Sequence, residues 1–283
     1  MLIRGAEVHG HGHADMRIET GRIVAIGPLD PVQGEPVIDA AGGLLLPGLH
    51  DHHLHLNAMA AQAMSMPCGP PHITTEAELA NALRRTGTGW LRGTGYHESV
   101  MGLPDARSLD RLMSHRPLRI QHRGGRMWML NSLALELLLA RAAAPPGLER
   151  ENGRYTGWLF DEDAWLRTAL GSVPPDLGAI SADFARRGVT GVTDMSPQND
   201  PVMAAHFAAQ RQVGALAQRL TLAGTLALAT VPAEGWHLGP AKLHLHESAL
   251  PDFDQAADFI RGAHEQDRAV AVHCVTEVEL VFT

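Results

Sequence analysis

Lysine is almost absent from this chain of 283 residues: Lys242 is the one lysine among 23 Lys and Arg residues. A coding bias toward arginine explains the loss at the surface, where the two cations serve alike. Under that bias, a lysine that persists singles out a position where guanidinium fails. A buried lysine can shed its proton and act as a nucleophilic amine, whereas arginine stays charged. Cysteine is also scarce. Cys68 and Cys274 are the whole complement, far too few for a disulfide framework. No arginine-rich run occurs, and a net charge of -8 with a pI near 6.1 argues against the basic stripe that nucleic-acid binding needs. The longest apolar run, "LALELLLARAAA" (133–144), is broken by Glu136 and Arg141 and is too short to span a bilayer. The opening "MLIRGAEVHG" lacks the apolar stretch of a signal peptide. These absences predict a cytoplasmic protein acting on a small molecule, without nucleic acid or membrane as partner; they leave a homo-oligomer open.

Enough apolar residues are present, 45%, to fill one large domain or two smaller ones. Residues 1–48 read as short strands, two of them around Thr20-Gly21, and form a small β element. The run 74–87 predicts a helix with a capping box from Thr75 to Glu78. A second helix, 131–147, opens at Asn131 and stops at Pro145-Pro146-Gly147. Residues 57–175 hold few alternating strand–helix units and read as an insertion. From 176 the pattern is regular: helix 176–188, strand 189–195, helix 201–216, strand 219–227, strand 241–246, helix 253–266 and strand 269–274. Alternation of this kind predicts a parallel sheet with helices outside.

Against that frame stands "LPGLHDHHLHL" (46–56), with four histidines and an aspartate behind Pro-Gly. In a regular strand, Asp51, His53 and His55 share one face and His52 and Leu54 the other. Two imidazoles at i and i+2 then reach one metal ion, each through a neutral nitrogen. A solvated histidine cluster is the plain alternative, since the chain has 17 histidines and the same spacing recurs at His244 and His246.

These residues resemble the first-strand signature of the amidohydrolase superfamily. "GPAKLHLHESALPDFD" (239–254) is similar to the fourth-strand segment of its third family, and "AVAVHCVT" (269–276) to the fifth. "GWLRGTGYHES" (89–99) and "RPLRIQHRGGRMWMLNSLAL" (116–135) are similar to segments of that family's insertion. The resemblance implies an incomplete (β/α)₈ barrel of about five strands over 49–283, with an insertion at about 57–175 and, at 1–48, a β element that is part of a composite β-sandwich. It implies His53 and His55 as metal ligands, Lys242 as a catalytic, carboxylated lysine bridging two metals, and His273 as a ligand of the second metal. Two zinc ions and carbon dioxide are the cofactors it implies. The reaction it implies is hydrolysis of a non-peptide C–N bond. A related lactonase or phosphoester hydrolase, or a non-catalytic metal-binding protein, are the alternatives.

Two departures matter. The family's strand-six histidine and strand-eight aspartate have no counterparts in these residues, so residues 1–283 alone are expected to be inactive. After the lysine the chain has "HLHES" where the family more often has Asp-Gly, leaving His246 and Glu247 as substrate contacts or as bystanders. His97, His122 and Asp194 are further candidates for substrate contact, with Glu98 and Arg123 beside the histidines. Asp194 reads equally as a helix cap, "HGHGH" (9–13) as a solvated turn, and Cys274 as a buried structural thiol.

Overall fold

The computed structural model describes residues 1–84 and 87–283. Two compact units divide the chain: Met1–Leu54, Asp183–Asp200 and Ala217–Thr283 form one, and His55–Ala182 with Pro201–Leu216 the other.

In the first unit, β1 (Leu2–Val8), β2 (Gly12–Glu19), β3 (Arg22–Gly27), β4 (Val37–Asp39) and β5 (Leu44–Leu45) make one sheet. Its order is β3-β2-β1-β4, with β5 also paired to β1. Residues 1–48 thus contribute a single sheet, the small β element expected there. Its packed face carries Ala6, Val8 and Met16. Thr20 and Gly21 turn β2 into β3 with φ of 48° and 75°, the two positive values a two-residue hairpin requires. Asp15 ties the sheet to its loops, accepting the amides of Gly5 (2.8 Å) and Leu29 (3.2 Å). The His9–His13 stretch is an exposed hairpin end, as expected. After β5 the chain enters β6 (Leu49–Leu54).

The second unit is richer in strands than the sequence suggested. β7 (Met66–Pro67), β8 (Leu91–Tyr96), β9 (Leu118–His122), β10 (Met127–Leu130), β11 (Leu148–Glu151) and β12 (Arg154–Phe160) form a mixed sheet. Their order is β11-β12-β10-β9-β8-β7. One face packs Tyr96, Leu118, Ile120 and Met129, and the other Trp128, Leu130 and Leu159. The capping box at Thr75 and Glu78 is present and opens the helix Glu76–Leu83; positions 85–86 of the predicted helix lie outside the described residues. Asn131 caps the helix Ser132–Leu139, which ends well before the prolines.

Four more strands complete the first unit: β13 (Val189–Asp194), β14 (Arg219–Gly224), β15 (His237–His244) and β16 (Val270–His273). With β6 they make a curled, all-parallel sheet, a half-barrel of order β16-β15-β14-β13-β6. Val192, Leu222, Ala241 and Leu54 are buried on one of its faces. β15 begins four residues earlier than predicted and ends at His244, so His246 lies in the following loop. The helix Phe253–Glu265 connects β15 to β16, close to its predicted span.

Candidate functional site

The pairing register decides which side chains share the second face of the curled sheet. Thr193 pairs with Thr221, Lys242 with Ala271 and His244 with His273, while Leu222 and Gly224 face the other way with Asp194 and Ala241. His50 joins the Thr193 side, its Nε2 2.8 Å from Thr193 Oγ1. Gly191, opposite His50, makes room for that ring: a Cβ there would stand 2.4 Å from His50 Nδ1.

The expected alternation in β6 does not hold. Val192 pairs with Asp51 and Asp194 with Leu54, so three steps on β6 match two on β13. His52 and His53 together oppose Thr193, the pattern of a β-bulge, which re-aims side chains. The bulge keeps His52 against His50, with ring centroids 4.4 Å apart. Counting back from Leu54, it turns His53 away from the face of Asp51 and toward that of Lys242. Asp51 Oδ1 instead accepts the His53 amide at 3.0 Å. His55 lies beyond the strand. It is the N-cap residue of the helix Leu56–Ala63 and opens the second unit.

Lys242 is 7% exposed, and burial pushes its ammonium below the ordinary lysine value, with Cys274 opposing the shift. Beyond it, at the strand ends, three imidazoles gather. His244 meets His246 at 4.4 Å and His273 at 4.5 Å between ring centroids. Desolvation, then the charges of His246, His273 and Lys242, lower the His244 pKa. His50 is lowered likewise, by burial first and then by His52 and Arg219. Neutral imidazole is the form that ligates metals. Among the described residues, however, no group of three or more His, Cys, Asp or Glu side chains is gathered closely enough to hold a metal ion.

Glu279, missed in the sequence, organises this end of the sheet. It is buried in the helix Glu277–Phe282, and its carboxylate accepts the amides of Glu247 (2.7 Å), Val275 (2.6 Å) and Thr276 (3.2 Å). The loops after β15 and β16 are thereby pinned to one carboxylate. Its signal was the Thr276–Glu279 capping box, legible only once the chain's last helix is recognised.

The other candidates sit elsewhere. Asp194 ends β13 fully buried, accepting from the Ser196 amide (2.9 Å) and from Asn199 Nδ2 (2.9 Å). Asn199 in turn reaches the Ala223 carbonyl, so Asp194 braces β13 to β14. His97 and His122 belong to the second unit, where His122 Nε2 lies 2.9 Å from Glu98 Oε2 and His97 Nε2 3.8 Å away. The Nδ1 atoms of both rings accept backbone amides, from Ser99 and Gly124. Cys274 is only half-buried because it follows the edge strand β16; the enclosed thiol is Cys68, 0% exposed and pushed up to about 12 by desolvation.

The fold is similar to that of two solved structures described as uncharacterized metal-dependent hydrolases. One from Pyrococcus horikoshii superposes with a TM-score of 0.74 at 14% identity, covering 99% of this chain and 66% of the other. One from Pyrococcus furiosus gives 0.72 at 15%, covering 99% and 68%. The amidohydrolase family model matches residues 36–281, and the chain belongs to that family. Among curated relatives, Protein LONG AFTER FAR-RED 3 of Arabidopsis thaliana is 27% identical over 64% of this chain and 34% of its own length. N-substituted formamide deformylase of Arthrobacter pascens is 28% identical over 53% of this chain and 31% of its own. Adenine deaminase of Deinococcus radiodurans is 31% identical over 34% of this chain and 20% of its own. The chain spans at most about a third of the length of these curated relatives.

Proposed function

We propose that this chain carries the metal-binding strands of a hydrolase that cleaves non-peptide carbon–nitrogen bonds in a small molecule, on an eight-stranded barrel. The observation that carries the proposal is Lys242: the chain's one lysine, buried, with a depressed pKa, on the polar face beside His244 and His273. Family membership and two relatives named for deformylation and deamination support the choice of bond. By the resemblance, His53, His55, Lys242 and His273 would be the ligands of the divalent metal, which would supply Lewis-acid chemistry; zinc would suit the imidazole ligands. A neutral Lys242 amine adds to carbon dioxide, forming one N–C bond and releasing a proton to solvent. The resulting carbamate would offer two oxygens sharing one negative charge, where arginine would keep a positive charge. A bound divalent cation lowers the pKa of water to about 7 and polarises a carbonyl. His246, in ring contact with His244, is the favoured substrate contact of the four candidates. By resemblance, a further histidine and an acid–base aspartate belong on strands outside these five. General acid–base help is worth about 10²–10⁴ in rate, so residues 1–283 alone should turn over near background.

The test joins these residues to strands six to eight of a relative, loads zinc and bicarbonate, and assays N-formyl and N-acyl amines beside lactones and phosphoesters. Chelator-sensitive turnover of the amide substrates is expected. Turnover confined to lactones or phosphoesters would move the protein to another reaction class, and metal-independent turnover would remove the proposal.

A further inference from the structure

The second unit holds an arrangement that the metal chemistry does not use. Arg92 on β8 and Arg119 on β9 are direct partners in register, so two guanidinium groups leave one sheet face side by side. Trp128 on β10 pairs with Gln121, two residues along from Arg119, and shares that face. Each guanidinium carbon lies 5.3 Å from the centroid of the Trp128 ring. Like charges directly opposite on a sheet are destabilising, and partial burial strengthens the repulsion. Neither arginine forms an ion pair among the described residues. Arg92 donates to the Ser65 hydroxyl. Arg119 Nε is shut off from solvent and has no hydrogen-bond acceptor. Asp163, the carboxylate whose field reaches both arginines, instead accepts from Trp128 Nε1 at 3.0 Å. Desolvation lowers both guanidinium pKa values, and Arg119, with Arg92's charge adding, falls to about 10. The Trp128 ring attracts each cation but cannot neutralise two.

We infer that Arg92 and Arg119 form a binding site for a small oxyanion, a carboxylate or a phosphate, held against the Trp128 ring. Forked guanidinium donors match the planar or tetrahedral oxygens of such groups, and the ligand's charge relieves the repulsion between the pair. Unpaired like charges in a partly buried setting are a local rule broken, and such breaks gather at functional sites. Isothermal titration and thermal melting of the purified chain with inorganic phosphate, and separately with malonate, test this against sodium chloride at equal ionic strength. Saturable binding of phosphate or of malonate beyond the chloride control is expected, and the arm that responds names the ligand class. Arg119→Gln should weaken that binding about tenfold, as loss of one charge-assisted contact does. It should also melt at or above the ligand-free wild type, because one of two like charges is gone. If Arg119→Gln fails to fold, Arg92→Gln takes its place with the same expected loss. No binding beyond chloride, or unchanged affinity in a folded variant, would overturn the inference.

Discussion

Lys242 and Asp15 show how much one ionisable side chain can report. Composition singled out Lys242 and the resemblance gave it a role; the structure adds burial and a depressed pKa. Asp15 was invisible in the sequence, because its partners, the amides of Gly5 and Leu29, are brought to it only by folding. Those amide hydrogen bonds, Gly5 first, hold the Asp15 carboxyl below its ordinary range. A folded-state pKa below the unfolded one gives stability that is present above the unfolded value and lost as pH falls through the folded value. Asp15→Asn should therefore lower the urea midpoint at neutral pH. The gap to wild type should close as pH falls below the ordinary aspartate range and the wild-type carboxyl is protonated. A gap constant with pH would mean that the charge of Asp15 is not what the two amides recognise.

At the scale of elements, what was legible were units whose signal is local. Thr75–Glu78 and Asn131 announced two helices, and Thr20-Gly21 a hairpin, because caps and tight turns are chemistry between near neighbours. The strand–helix alternation after residue 176 foretold the parallel strands for the same reason. The six-stranded sheet of the second unit was missed. Its strands are short, and "LRGTGY" carries two glycines that hide any alternation. The bulge at His52–His53 was missed too, since it depends on pairing with β13, about 140 residues away along the chain. Asn131 turned out to do more than cap. Its Oδ1 accepts the amides of Leu118 and Ala134, both at 2.9 Å, and its Nδ2 donates to Met113 (2.7 Å) and Arg116 (2.8 Å) carbonyls. The side chain is wholly buried, so Asn131→Ala strands backbone groups that water cannot reach. Each costs about 1–3 kcal/mol, and a total loss of about 3 kcal/mol or more is expected by chemical denaturation. A loss under about 1 kcal/mol, the cost of a cap alone, would show that the strand contacts carry little.

For the whole molecule, one curled sheet carries candidate residues that lie far apart in the chain. His53 is on one edge strand and His273 on the other, with Lys242 on the strand next to β16. Parallel strands all deliver their C-terminal ends to one rim, which is where barrel enzymes place their chemistry. His244 and Glu279 belong to the same rim, although only the fold shows it. The proposed chemistry requires Lys242 to be part of a metal site. The direct measurement is a zinc titration of the wild-type chain and of Lys242→Arg, each in bicarbonate-saturated buffer and followed by equilibrium dialysis. Exposed histidines such as His9, His11 and His13 are common to both proteins, so any weak binding there cancels. The variant is expected to bind zinc at least about tenfold more weakly, the loss typical when a group that supports a metal is removed. Equal affinity and stoichiometry in the two proteins would contradict the account and leave Lys242 as a buried lysine that arginine can replace.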